Sequence, residues 1–129
     1  MTEHIVVVGG GTGGTVLANR LAEKLEPELD AGDVQVTMIT DDEDHVYKPT
    51  FLYVPFGKKT PDDARRPVAD LVDRRVDIRY DRVTAVDPDD KRLSLAEGAP
   101  IDYDHLTLAT GVELVPEETP GLVEGGHHF

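Results

Sequence analysis

The sequence predicts an α/β domain: a parallel sheet with a three-stranded antiparallel meander attached. Three observations predict it. A β-branched apolar run, Ile5-Val6-Val7-Val8, enters the glycine turn Gly9-x-Gly11-x-x-Gly14, and residues 15–25 then carry apolar positions at helical spacing. A second β-rich run, Val34–Thr40, completes a β-α-β unit, and such a crossover makes the two strands parallel. Beyond residue 80, three short β-rich runs alternate with turn-forming residues.

Taken in order, the first strand and helix end near Glu26-Pro27, and residues 28–33 are a polar connection. Val34–Thr40 alternates and stops at the acidic run 41–44. Residues 45–57 carry Tyr47, Phe51, Tyr53 and Phe56, but Pro49 and Pro55 interrupt them, so a loop with one helical turn is expected. Residues 66–74 read as a short helix with Pro67 in its first turn. Val76–Tyr80 is the third parallel strand. Residues 82–86, Arg92–Leu95 and 100–103 are the meander strands, joined by Pro88-Asp89-Asp90-Lys91 and Ala96-Glu97-Gly98-Ala99. Leu106-Thr107-Leu108-Ala109 is expected as a buried strand ending at Thr110-Gly111. Residues 112–129, rich in Pro, Gly and Glu, show no element. The expected organisation is a domain over 1–111 and a tail over 112–129, with no internal repeat.

The 129 residues make at most one domain, large enough for a core. No apolar run reaches the length of a membrane-spanning helix. The N-terminal apolar run is short and lacks a basic lead, so a signal peptide is not expected and a cytoplasmic location is. With no cysteine there is no disulfide, thiolate metal site or redox dithiol in these residues. The formal net charge is -13, which disfavours nucleic acid and anionic membrane surfaces as direct partners. Five lysines stand against eight arginines. An acid-rich, lysine-poor surface suits high salt, where screening relieves self-repulsion. A halophilic source is one reading of this composition; an ordinary acidic protein is the other.

The glycine turn has a chemical rationale. Gly9 permits a tight turn, Gly11 lets the backbone approach a pyrophosphate, and Gly14 lets the helix pack close to the strand. The helix N-terminus offers unpaired N–H groups and a positive dipole end to phosphates, with Gly10, Thr12 and Gly13 in the loop that supplies them. Without its context the motif would indicate turn glycines and nothing more.

The context is the meander followed by Tyr103-Asp104-His105-Leu106-Thr107-Leu108-Ala109-Thr110-Gly111. This segment looks like the Y-D-x-L-x-x-A-T-G segment of the FAD-dependent pyridine-nucleotide disulfide reductase superfamily. The order of the three features resembles that superfamily, with His105 in place of a more usual aromatic. Within it, Val36-Thr37-Met38-Ile39-Thr40-Asp41, the aromatic residue and Pro49 that follow, and the tail 114–129 resemble sulfide:quinone oxidoreductases. The resemblance implies a Rossmann-like FAD-binding domain. It covers the whole chain but only about the N-terminal third of such a protein. It leaves outside the NAD-like second domain, the redox cysteines, the quinone site and the membrane-docking segment. In the whole enzyme of this kind, sulfide attacks a cysteine disulfide and electrons pass through FAD to a quinone, with the protein peripheral on the cytoplasmic membrane. The chain is therefore expected to be a truncated or split product, inactive alone, with a possible partner chain supplying the missing domain. The alternatives are a fragment of a type II NADH:quinone dehydrogenase and a non-catalytic nucleotide-binding module.

The resemblance also implies roles for particular residues. Thr40 and Asp41 end the second strand, where relatives place an acid on the adenosine ribose; Asp42 is the alternative. Both stand further beyond the glycines than the roughly twenty residues usual for such an acid. Lys48 and Pro49 match positions that line the flavin ring, against a surface-lysine alternative. Val83 matches a position whose main chain meets adenine, against an ordinary core valine. Ala109, Thr110 and Gly111 form the turn near FAD. Phe51, Tyr53 and Phe56 are expected to pack in the core or against the missing domain, or else to form an exposed apolar patch. His127 and His128, being adjacent, point to opposite faces of an extended chain and make a poor metal pair. His4 and His45 have no ligand cluster around them in the sequence.

Overall fold

A computed structural model describes residues 1–126. Its central strand β1 (Glu3–Val8) is apolar over residues 5–8 because both of its faces are covered, as in buried parallel sheets. β1 pairs in parallel with β2 (Val34–Thr40), Val6 opposite Thr37, and on its other side with β9 (His105–Leu108), Val6 opposite Leu106. β2 pairs with β5 (Val76–Tyr80), giving the order β5-β2-β1-β9 with all strands parallel. The meander is β6 (Val83–Asp87), β7 (Arg92–Leu95) and β8 (Ile101–Asp102), antiparallel throughout. The predicted architecture is thus the observed one.

Helix α1 (Thr12–Lys24) buries Gly14, Thr15, Ala18 and Ala22, one face at helical spacing. These small side chains bring the helix close to the sheet. Ala18 and Ala22 pack with Val36, Met38, Val68, Val72 and Val76 on that side. On the other side Val6, Val8 and Ile39 pack against Leu93 and Ile101 of the meander. The sheet therefore separates two cores, and the alternation of β2 assigns Met38 to one and Ile39 to the other.

Four local expectations need correction. Residues 28–31 are helical, in α2 (Glu26–Ala31), not a polar connection. Pro27 stands in the first turn, where a missing N–H costs nothing. Gly32, at φ 78°, then closes the helix by donating to the Glu28 and Leu29 carbonyls. The second correction concerns residues 44–67, where β3 (Asp44–Val46) pairs antiparallel with β4 (Arg65–Pro67), with His45 opposite Arg66. A 3-10 helix over Lys48–Tyr53 supplies the expected helical turn. Because β4 takes up residues 65–67, Pro67 caps α3 (Val68–Leu71) from outside and the helix is shorter than predicted.

Third, β9 is not buried. It pairs only with β1 among the described residues, and Leu108 is 58% exposed. Its apolar composition marked a strand, but burial requires an element over it. Fourth, the tail contains a 3-10 turn, Pro116–Glu118, and a helical turn α4 (Leu122–Gly125).

The turn between α3 and β5 is fastened to α1. Asn19 Nδ2 donates to the Leu71 carbonyl at 2.8 Å, and its Oδ1 accepts the Asp73 N–H at 2.8 Å. Asp73 in turn accepts from Arg75 Nε at 3.0 Å and from its terminal nitrogen at 2.9 Å. The Arg75 side-chain hydrogen bonds, then its N–H, hold the Asp73 carboxyl down at about 2 from an ordinary 3.8. A depressed carboxylate contributes stability above its unfolded value and loses it as pH falls through the folded one. Asp73→Asn is therefore expected to be less stable than the parent at pH 7, with the gap closing between about pH 4 and pH 2. Urea unfolding at several pH values checks this; a gap that stays constant down to pH 2 would exclude the pair as its cause.

Candidate functional site

The glycines of the turn are held by different contacts. Gly9 sits at φ +114°, donates to the Ile39 carbonyl at 2.8 Å, and has no room for a Cβ against the Ala109 carbonyl. A Cβ on Gly10 would come within 2.7 Å of Thr40 Oγ1. One on Gly14 would overlap the Gly9 carbonyl oxygen. Gly11 has nothing within 4 Å of its Cβ position, so its open side faces space and not protein. Gly11 also precedes α1 with no side-chain cap. Thr15 N–H returns to the Gly11 carbonyl at 3.0 Å, and the helical N–H groups before it have no partner within the helix.

A cleft of about 1060 Å³ opens at the carboxyl ends of β1, β2 and β9. It lies outside the carboxyl ends of the parallel strands, the usual ligand position in open α/β sheets. Gly9, Gly10, Gly11, Thr12 and Gly13 form one wall. Thr40, Asp41 and Lys48 border it, Val83 comes from the meander, and Ala109, Thr110 and Gly111 close the β9 side. Twelve of the fourteen residues expected to bind the cofactor thus meet at one cleft, and the alternative acid Asp42 borders it too. Gly14 lies behind the turn, where its role is close packing. Pro49 is not on the wall; it occupies the first turn of the 3-10 helix.

The candidates at the end of β2 differ in their contacts. Thr40 is buried, and its hydroxyl both donates to the Asp42 carbonyl at 3.1 Å and accepts the Asp42 N–H at 3.3 Å. Asp42 Oδ1 accepts the Asp44 N–H at 3.0 Å. Asp41 projects from this turn and meets the Arg82 guanidinium at 3.1 Å. Both partners are exposed, so the pair adds little to stability.

Sequence reasoning missed several residues of the cleft. Asp81, Arg82, Ala85 and Val86 arrive with the meander, and His45 with β3. The position of Val83 was a signal for Arg82, and the loop that carries Lys48 and Pro49 was one for His45, at its start. Asp81 accepts the Arg82, Glu97 and Gly98 N–H groups at 2.7, 3.2 and 2.8 Å. Burial acts to raise its carboxyl, but these backbone donors together outweigh it and leave the value lowered. Asp81 therefore fastens the meander turn at the lip of the cleft.

His4, His45 and His105 are engaged in hydrogen bonds. His4 Nδ1 lies 2.8 Å from the Asp102 carbonyl and Nε2 2.8 Å from Thr37 Oγ1, joining β1, β2 and β8. His105 Nε2 meets Glu3 Oε1 at 2.7 Å, and His45 Nδ1 meets the Gly10 carbonyl at 3.0 Å. Among the described residues, no three His, Cys, Asp or Glu side chains are grouped to hold a metal. His127 and His128 lie outside the described residues. Tyr53 and Phe56 are exposed, so the core reading of this loop fails for both, whereas Phe51 is half-buried. No helix of the described residues is long and apolar enough to cross a membrane.

Fold and cleft together define a Rossmann-like α/β domain. Residues 3–129 match the family model described as pyridine nucleotide-disulphide oxidoreductase, and the chain belongs to that family. It is 32% identical over 116 residues to the sulfide-quinone reductase of Aquifex aeolicus, covering 89% of this chain and 26% of that protein. It is 32% identical over 120 residues to the mitochondrial sulfide:quinone oxidoreductase of Dictyostelium discoideum, covering 93% of this chain and 25% of that protein. The solved structure of the Aquifex aeolicus sulfide:quinone oxidoreductase superposes with a TM-score of 0.80 at 29% identity, over 95% of this chain and 27% of that one. The chain spans about a quarter of the length of these relatives.

Proposed function

We propose that this chain is the FAD-binding portion of a sulfide:quinone oxidoreductase-like flavoprotein. The observation that carries the reading is the convergence of the glycine turn, the end of β2 and the Ala109-Thr110-Gly111 turn on one cleft. The likeness to sulfide:quinone oxidoreductases in sequence and structure supports the particular type.

The residues fit the cofactor. The open side of Gly11 and the unpaired N–H groups of the first turn of α1 suit a pyrophosphate. Asp41 offers a carboxylate to the adenosine ribose, in exchange for its contact with Arg82. Val83 presents main chain to the adenine, and the β9 turn and Lys48 border the flavin. FAD, when bound, supplies the redox chemistry, and the protein supplies position and electrostatics. In this assignment residues 1–111 form the binding unit and residues from 112 lead onward.

In the whole protein, sulfide and quinone are the substrates, the location is peripheral on the membrane, and another segment or chain contributes the redox cysteines. This chain has no cysteine with which to take up sulfur. The purified chain is therefore expected to bind added FAD, seen as a change in flavin absorbance and fluorescence. It is also expected to show no sulfide-dependent quinone reduction. A protein indifferent to FAD would exclude the cofactor assignment, and turnover would exclude the inactivity. The adjoining reading frame separates this reading from a type II NADH:quinone dehydrogenase: a redox cysteine pair favours the first, a second glycine fingerprint without the pair the other.

A further inference from the structure

We propose that His45 is a positioning residue for the pyrophosphate end of the cleft: its Nδ1–H, donated to the Gly10 carbonyl, holds the glycine turn in the orientation that receives an anion. The role rests on the FAD-binding reading above and goes beyond the glycine motif itself, since His45 belongs to a different element.

The geometry is as follows. His45 Nδ1 lies 3.0 Å from the Gly10 carbonyl oxygen. A carbonyl only accepts, so Nδ1 carries the proton in this contact. Thr15 Oγ1 donates to the same oxygen at 3.2 Å. Two donors from different elements, one on α1 and one on β3, thus share one carbonyl. His45 is itself held in register opposite Arg66 of β4. The ribbon is pinned at its ends, where Tyr47 N–H donates to Ala64 and Val68 N–H to Glu43, each at 2.8 Å.

The physical need for such a clip is specific to glycine. The Gly10-Gly11 peptide lies between residues that rotate freely about φ and ψ. In a planar trans peptide the C=O and the following N–H point in opposite directions. Reversal of this one peptide would turn a carbonyl oxygen where a donor stood, and an oxygen repels a phosphate. Fixing the Gly10 carbonyl toward His45 and Thr15 therefore fixes the Gly11 N–H in the opposite direction. The clip selects the donor-presenting form before any ligand arrives, which lowers the ordering cost of binding.

The test has a spectroscopic and a binding arm. Long-range 1H–15N NMR of the ligand-free chain, about two pH units above the ordinary imidazole value of about 6.5, is expected to show His45 as the Nδ1–H tautomer. An Nε2–H tautomer would overturn the proposal. In the binding arm, the amide of Asn superposes on Nδ1–H, whereas the longer Gln places its donor near Nε2. His45→Asn is expected to bind FAD within about threefold of the parent, and His45→Gln and His45→Ala about tenfold more weakly. Amide exchange at Gly11 in the ligand-free variants is expected to follow the same order. Equal binding and equal exchange in all three folded variants would overturn the clip. If the parent does not bind FAD, the cofactor reading fails, and the tautomer and exchange results still decide the role of His45.

Discussion

Gly14→Ala is expected to lower stability by about 3 kcal/mol or more, whereas Gly13→Ala, one position away, is expected to be neutral or stabilising. Both residues lie in the first turn of α1, where alanine is favoured over glycine by about 1 kcal/mol. That gain is all that operates at Gly13, whose Cβ would meet the Ala109 methyl at an ordinary 3.8 Å. At Gly14 the added carbon would overlap the Gly9 carbonyl oxygen and stand 2.9 Å from its carbon. These are backbone atoms of the sheet-to-helix turn and cannot rotate aside. Either α1 moves off the sheet, opening the core at Ala18 and Ala22, or the turn that lines the cleft is displaced. The clash exceeds the propensity gain severalfold, which fixes the sign. Thermal unfolding should show Gly14→Ala melting about 10 °C or more below the parent, with FAD binding lost. A Gly14→Ala protein as stable as Gly13→Ala would contradict the close approach of helix and strand.

Leu93→Ala and Met38→Ala are expected to cost similar stability, about 2–5 kcal/mol each, but to differ in FAD binding. Both side chains are fully buried. Met38 lies in the core between the sheet and α1, while Leu93 seats the meander on Val6, Val8 and Ile39. The meander carries Val83, Ala85 and Val86 along one side of the cleft. A cavity at Leu93 loosens that wall against the glycine turn, whereas a cavity at Met38 sits beneath the opposite face. Below their unfolding midpoints, Leu93→Ala should bind FAD at least about tenfold more weakly and Met38→Ala within about threefold. Denaturant titrations give the first quantity and flavin fluorescence the second. Equal losses of binding would mean that the two faces of the sheet are not separable in this way.

The architecture was legible because its signals are local. β-branched runs bounded by glycine or by acidic residues marked β1, β2 and β5, and Pro-Asp-Asp-Lys and Ala-Glu-Gly-Ala marked the meander turns. Most of the proposed cleft was legible for the same reason, since the glycine turn and Ala109-Thr110-Gly111 are contiguous in the chain. Where reading failed, the deciding contact was distant. α2 was missed because a polar stretch with an early proline is compatible with both loop and helix. The β3–β4 ribbon was missed because neither three-residue strand has a signature, and each exists through the other. His45 and Arg82 were missed as cleft residues because each reaches the glycine turn or Asp41 only through a neighbour in space. Leu108 was expected to be buried on its composition, and only the arrangement of the sheet leaves it at an edge.

The spacing of Gly9, Gly11 and Gly14 between a β-branched run and a helical one determined the class of fold and the place of the cleft, because period and glycine content act within a few residues. The tertiary structure alone decided which atoms each glycine meets. Gly9 faces Ala109, Gly14 faces Gly9, Gly10 faces Thr40 and Gly11 faces open space. Two of these four relations, Gly9 with Ala109 and Gly10 with Thr40, are contacts whose partner depends on how the chain returns to meet itself, and no local pattern specifies that.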